Sequence, residues 1–62
     1  MFTALFIIDQ DGFLITECYA TKGALDYAID AWESEGKETY IDGFMAYEAQ
    51  QRNKSAIKRK VE

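Results

Sequence analysis

The sequence Phe-Thr-Ala-Leu-Phe-Ile-Ile at residues 2–8 decides how this chain folds. Its aromatic and β-branched side chains predict a β-strand, and residues 13–20, Phe-Leu-Ile-Thr-Glu-Cys-Tyr-Ala, predict a second one. Between them, residues 9–12 read Asp-Gln-Asp-Gly. The Asp-Gly pair is typical of a tight turn because glycine adopts positive φ without steric cost. We therefore predict an antiparallel β-hairpin.

A helix is predicted over residues 22–35. Its apolar residues recur at the i, i+3, i+4 and i+7 spacing of one helical face: Leu25, Ala28, Ile29 and Trp32. Thr21 is suited to cap the N-terminus, and Gly36 is suited to the left-handed position after the C-terminus. We expect the apolar face to pack on the hairpin, with Trp32 as its largest contributor.

Residues 38–48 allow two interpretations. One is a single strand, bent or bulged at Gly43. The other is a short strand that ends near Asp42 and is followed by a long helix, since the later residues are good helix formers without proline. We adopt the long strand. The predicted fold is then one α+β domain over residues 1–48, a ββαβ unit with a three-stranded antiparallel sheet and one helix on one face, followed by a helical or frayed basic tail over residues 49–62.

Composition excludes several classes of function. The chain has 62 residues, of which 48% are hydrophobic and 29% charged, so it is neither multidomain nor disordered. It has no histidine and one cysteine, Cys18, which rules out the usual zinc sets and an internal disulfide. We expect Cys18 to be a packed, inert thiol, and we expect no enzyme activity, no cofactor and no metal. The lone thiol and the lack of a recognisable signal or membrane segment predict a cytoplasmic protein without a membrane partner.

The first strand carries apolar side chains on both sides. Alternation places Phe2, Ala4, Phe6 and Ile8 on one side and Leu5 and Ile7 on the other. One helix covers only one side, so the other needs the tail, a second copy or another protein. The tail offers few apolar groups, and we therefore expect a second chain, most simply in a homodimer. Tyrosine is favoured at such interfaces, which adds Tyr19, Tyr40 and Tyr47.

Charge is segregated along the chain. Ten acidic and two basic residues precede residue 49, and five basic residues and one acidic residue follow, giving formal charges of −8 and +4. Three acidic residues share the polar side of the predicted helix: Asp26, Asp30 and Glu33. They form either an ordinary solvated face or an acidic docking surface for a basic partner. The basic residues are Arg52, Lys54, Lys58, Arg59 and Lys60. They suit an ordinary solvated helix end, a nucleic-acid contact or pairing with the acidic face.

The leading hypothesis is a non-enzymatic protein-binding module, an inhibitor or adaptor that blocks a host or partner protein. Its predicted binding residues are Phe2, Phe6, Tyr19, Asp26, Asp30, Glu33, Tyr40 and Tyr47. The alternatives are a small nucleic-acid-associated factor that binds through the basic tail and a structural subunit of a larger complex. Residues 19–32 resemble the strand-to-helix junction of small phage-encoded inhibitors of bacterial RNA polymerase. The arginines that follow the helix in those inhibitors are missing from residues 40–47, and no site residue is carried over.

Overall fold

The sheet is built around its first strand. A computed structural model describes residues 1–61 of the chain, with the side chains of residues 1–55. The elements are β1 (Thr3–Ile8), β2 (Leu14–Tyr19), α1 (Lys22–Ser34), β3 (Glu38–Tyr40) and α2 (Gly43–Val61). The strand order is β2-β1-β3, and both outer strands run antiparallel to β1. The predicted α+β class and three-stranded antiparallel sheet are confirmed.

Residues 9–12 close the hairpin through the Asp9 side chain. Its Oδ1 accepts the amide hydrogens of Asp11 at 2.9 Å and Phe13 at 2.8 Å. The amide of Gly12 donates to the carbonyl of Asp9 at 3.1 Å, and Gly12 has a φ of 84°. An L-residue adopts this left-handed conformation only at a cost, so the glycine predicted for the turn is required by the backbone.

The ends of α1 are capped as the sequence predicts. Thr21 is extended, and its Oγ1 accepts the amide hydrogen of Ala24 at 3.2 Å. At the other end Gly36 has a φ of 84°, and the amides of Gly36 and Lys37 donate to the carbonyls of Glu33 and Trp32. These two bonds form a Schellman motif, which ends the helix at its predicted position.

Two helices cover opposite faces of the sheet. On the first face, Leu5 and Ile7 of β1 pack with Leu25 and Ala28 of α1. The remaining residues of the predicted α1 stripe, Ile29 and Trp32, border this cluster. On the second face, Ile8 packs with Ala46 and Ala49 of α2, and Phe6, Leu14 and Tyr40 lie around them. The core is therefore divided by β1, which contributes side chains to both halves.

The long strand predicted over residues 38–48 is wrong. Strand β3 ends at Tyr40, and α2 begins at Gly43. Asp42 causes the change, because its Oδ1 accepts the amide hydrogen of Phe44 at 2.9 Å and its carbonyl accepts that of Ala46 at 3.0 Å. It thus serves the free amides at the start of a helix. The tail boundary predicted at residues 48 and 49 falls inside α2.

The expectation that the second face of β1 has no cover from its own chain is also wrong. Ala46 and Ala49 are each 1% exposed, and their small side chains allow α2 to lie close to Ile8. Polar side chains fasten the helix to the hairpin turn: Gln50 Nε2 donates to the carbonyl of Gly12 at 3.0 Å, and Asn53 Nδ2 donates to that of Asp9 at 2.9 Å. Cover at this end of the face needs no second chain.

Candidate functional site

The predicted binding residues fall on two surfaces, on opposite sides of the sheet. On the α1 side lie Tyr19, Asp26, Asp30 and Glu33, and on the α2 side lie Phe2, Phe6, Tyr40 and Tyr47. The two sets therefore cannot form one continuous patch. A partner that contacts both would have to wrap around the domain.

The acidic flank is formed by Asp26, Asp30 and Glu33, which all lie exposed on the outer side of α1. Asp26 forms an ion pair with Lys22 at 2.9 Å, and Glu33 Oε2 accepts a hydrogen bond from the Thr39 hydroxyl at 2.9 Å. The ion pair is well exposed to solvent and contributes little to stability. Asp30 has no hydrogen-bond or ion-pair partner among residues 1–55, so its charge is available to another molecule.

An aromatic groove of about 430 Å³ lies along α1 where the helix passes edge strand β2. Its walls are the rings of Tyr19, Tyr27 and Trp32, and Glu35 stands at one end. Three alanines of α1 complete the lining: Ala24, Ala28 and Ala31. The lining residues of α1 recur three or four positions apart, which places them along one side of the helix.

Glu17 fixes two walls of the aromatic groove. Its Oε1 accepts hydrogen bonds from Trp32 Nε1 at 3.3 Å and from the Tyr19 hydroxyl. The hydrogen bond to this carboxylate raises the pKa of Tyr19 above its usual value of 10.0. Both rings also border the core cluster of the first face. Tyr19 and Trp32 are therefore held in place, whereas the Tyr27 ring, which also lines the groove, is 79% exposed.

The sequence analysis missed Tyr27, Glu17 and Glu35 as members of this site. One signal in the sequence pointed to Glu17 and another to Tyr27, and none pointed to Glu35. Glu17 shares strand parity with Tyr19, which places both on the α1 face of β2. Tyr27 is an aromatic residue one position from the buried stripe of α1, next to Ala28. Neither signal indicates a groove until α1 is placed against β2.

The second face of the sheet is open at the end away from the hairpin turn. This open sheet end consists of Phe2, Ala4, Thr16 and Cys18. Phe2 is 71% exposed, and Cys18 is an exposed free thiol rather than the packed one expected. Cover by α2 stops near Phe6, whose ring lies so close to the first turn of that helix that a Cβ at Gly43 would be 3.4 Å from it. Phe44 and Tyr47 add exposed rings on α2 itself.

Tyr40, which the sequence predicts as a binding residue, lies half-buried beneath α2. Its hydroxyl donates to Glu38 Oε1 at 2.7 Å, while Glu38 Oε2 accepts a hydrogen bond from Asn53 Nδ2 at 2.8 Å. These two bonds lower the pKa of Glu38 below its ordinary value of 4.5. The hydrogen bond to the Glu38 carboxylate also raises the pKa of Tyr40. Glu38 and Tyr40 thus hold α2 on the sheet.

The basic residues predicted to contact nucleic acid all belong to α2. Arg52 and Lys54 are exposed, and Arg52 lies 3.7 Å from the Glu38 carboxylate. Lys54 lines a shallow pocket together with Asp9 and Asp11 of the hairpin turn, so acidic groups surround it. The side chains of Lys58, Arg59 and Lys60 lie outside the described residues. The exposed ring of Phe13 lines the same pocket as Lys54, but the carboxylates of Asp9 and Asp11 lie there too and oppose the approach of a phosphate.

Over residues 1–61, neither helix has the length and apolar character required to cross a membrane. Within the same residues, no three His, Cys, Asp or Glu side chains are grouped so that they could hold a metal ion. The site that the geometry offers is thus an aromatic groove on the β2 side of α1, with the acidic flank on the side of the same helix that faces β3. Comparisons of the chain with protein-family models, with curated proteins and with solved structures each found no match.

Proposed function

We propose that this chain is a small, non-enzymatic protein-binding module that acts as an inhibitor or adaptor. The observation that carries the proposal is the exposed surface of α1, where aromatic rings line a groove on the β2 side and Asp30 lies next to the Tyr27 ring. The other carboxylates of the acidic flank continue this negative surface toward β3. Aromatic side chains are enriched where proteins bind each other, and a charged surface beside them steers a partner of opposite charge. The partner that fits this surface is a protein with a basic, exposed segment.

The open sheet end supplies a second, apolar contact. An exposed Phe2 ring on a sheet face is an unfavourable arrangement in water and is typical of a contact surface. We propose that it binds either the same partner, wrapped around the sheet, or a second copy of the chain. The homodimer expected from the sequence thus remains a prediction, restricted to this end of the face. The exposed thiol of Cys18 supports a reducing location such as the cytoplasm.

The experiment is affinity capture from cell extract with three forms of the protein, at about 0.1 M and about 1 M salt, where the Debye length falls from about 10 to about 3 Å. The forms are the wild type, Asp30→Lys and Glu48→Lys. Both variants change the net charge equally, and both positions are exposed, but Glu48 lies on α2. We expect a partner that the wild type and Glu48→Lys capture at low salt and that Asp30→Lys does not. Equal losses in both variants, or capture that is indifferent to salt, would contradict the proposal.

The nucleic-acid alternative has no observation that favours it over protein binding. The acidic groups around Lys54 would repel the same phosphates that it attracts. A permanent structural subunit would use the same surfaces as the proposed module. It differs in one measurable respect, because its exposed faces would make the isolated chain insoluble.

A further inference from the structure

The aromatic groove along α1 has a combination of shape and charge that selects its occupant. Its volume lies within the range of sites that bind small groups in proteins. Among residues 1–55, no lysine or arginine lines it, whereas Glu35 lies in the lining and Glu17 is bonded to two of its walls. Asp30 lies three residues after Tyr27, next to it on the helix surface. Negative charge is therefore present at the groove without a cation in its lining.

Aromatic faces with nearby carboxylates attract a cation that can shed part of its water. The guanidinium group of arginine meets this requirement better than an ammonium group, since it is flat, stacks on rings and is more weakly hydrated. Its donors can also bond to carboxylates while the plane lies against a ring. Anions, including nucleic-acid phosphates, are repelled by the same carboxylates.

We propose that the aromatic groove binds an arginine side chain presented by an exposed segment of the partner protein. The guanidinium group lies between the rings of Tyr27 and Trp32, with Glu35 at its end. Because Tyr19 and Trp32 are already fixed by Glu17, only Tyr27 has to become ordered when the arginine enters. This inference rests on the proposed function and specifies the partner chemistry that it requires.

The test uses the only tryptophan of the chain, Trp32, as a fluorescent reporter inside the groove. The probe is the blocked peptide Gly-Arg-Gly-Arg-Gly, compared with the same peptide containing citrulline, which keeps the shape of arginine without its charge. We expect a saturable change of Trp32 fluorescence with the arginine peptide and none with the citrulline peptide. An equal response to both peptides, or a non-saturable response to arginine, would overturn the inference.

Variants distinguish the groove from general attraction to an acidic protein. We expect Tyr27→Ala to weaken binding of the arginine peptide about two- to fivefold, the loss of one cation–π contact, and Glu35→Gln to weaken it by a similar factor. Phe13→Ala removes another exposed aromatic ring, and Glu48→Gln removes another exposed carboxylate, both outside the groove. These controls should bind as the wild type does. If the controls lose as much as the groove variants, the groove is not the site.

The two proposals fail separately. In one outcome, Asp30→Lys abolishes salt-sensitive capture of a partner, but the arginine peptide does not change the fluorescence of Trp32. The protein-binding function then stands, and the occupant proposed for the groove is wrong. If the peptide binds in the groove but no partner depends on Asp30, the arginine site stands and the role assigned to the acidic flank is wrong. A lysine peptide that binds more tightly than the arginine peptide would overturn the choice of guanidinium.

Discussion

Alanine substitutions at two glycines with the same backbone conformation can show how much the contact between α2 and the hairpin turn contributes to stability. Gly12 and Gly36 both have a φ of 84°, so alanine at either position adopts a left-handed conformation at a cost of about 1–2 kcal/mol. Their surroundings differ. A Cβ at Gly36 meets nothing within 4 Å, whereas a Cβ at Gly12 would lie 2.6 Å from Lys54 Cγ and 3.2 Å from the Gln50 carbonyl oxygen.

Gly12→Ala therefore also forces α2 away from the hairpin turn, which adds about 1–3 kcal/mol for overpacking. We expect a total loss of about 2–5 kcal/mol for Gly12→Ala and about 1–2 kcal/mol for Gly36→Ala. A domain of this length has a free energy of unfolding of only about 3–9 kcal/mol, so the first variant is near its limit. Lys54→Ala in the Gly12→Ala background removes the clashing Cγ and should recover part of the loss.

The assay is urea unfolding followed by the fluorescence of Trp32, with far-ultraviolet circular dichroism as a second probe. Coincident transitions by the two probes would justify a two-state treatment. Equal losses of stability in Gly12→Ala and Gly36→Ala would refute the contact between α2 and the turn. So would a Lys54→Ala substitution that restores nothing in the Gly12→Ala background.

Three further predictions follow from the contacts of α2 and the open sheet end. Asn53→Ala removes the hydrogen bonds to Asp9 and Glu38 and should lower the free energy of unfolding by about 1–3 kcal/mol in the same urea assay. An unchanged midpoint of urea unfolding would contradict a stabilising role for those bonds. Because folding lowers the pKa of Glu38, its ionised carboxylate stabilises the fold fully above the ordinary pKa of 4.5, and this stabilisation is lost as the pH falls through the lower folded-state pKa. Thermal unfolding should therefore show a melting temperature that falls in acid, and Glu38→Gln should abolish this fall. If the open sheet end forms a homodimer, light scattering should give twice the chain mass for the wild type and one chain mass for Phe2→Ser, while a monomeric wild type would exclude the dimer.

The parts of the fold that depend on near neighbours could be predicted from the sequence. The hairpin turn needs only Gly12 and the side chain of Asp9, and α1 needs its cap residues and its apolar stripe. The start of α2 was given only as the alternative interpretation, because Gly43 was interpreted as a strand bulge. The relevant signal was Asp42, a good capping residue that precedes an uninterrupted run of helix formers.

Cover of the second face of β1 was harder to predict, for a physical reason. Residues 49–62 hold few large apolar side chains that could cover Phe2 and Phe6. Helix α2 instead packs close to β1, because the small side chains of Ala46 and Ala49 lie against Ile8. The helix backbone itself then covers the strand, and large apolar side chains are not needed. Its polar bonds to the hairpin turn span more than thirty positions in sequence, as the separation of 38 between Gln50 and Gly12 illustrates. Local patterns contain no information about such pairs.

The candidate site was predicted in part. The acidic residues of α1 and Tyr19 were identified, and the structure brings them to one side of the sheet. Tyr40 lies on the other side of the sheet, where its half-buried ring packs against the Ile8, Ala46 and Ala49 cluster. The groove itself arises from the packing of α1 against β2, which brings Tyr19 to Tyr27 and Trp32 of the helix, and no single element encodes it.

Site-specific photo-crosslinking tests the binding surface on α1 most directly. Benzoylphenylalanine replaces Tyr27 in one protein and Gln51, an exposed residue of α2, in another, and both are irradiated in cell extract at low and high salt. We predict one dominant crosslinked protein at position 27, with an arginine in the crosslinked segment and a lower yield at high salt. We predict no such product at position 51. The same products at both positions, or a position 27 product that is unaffected by salt, would contradict this prediction.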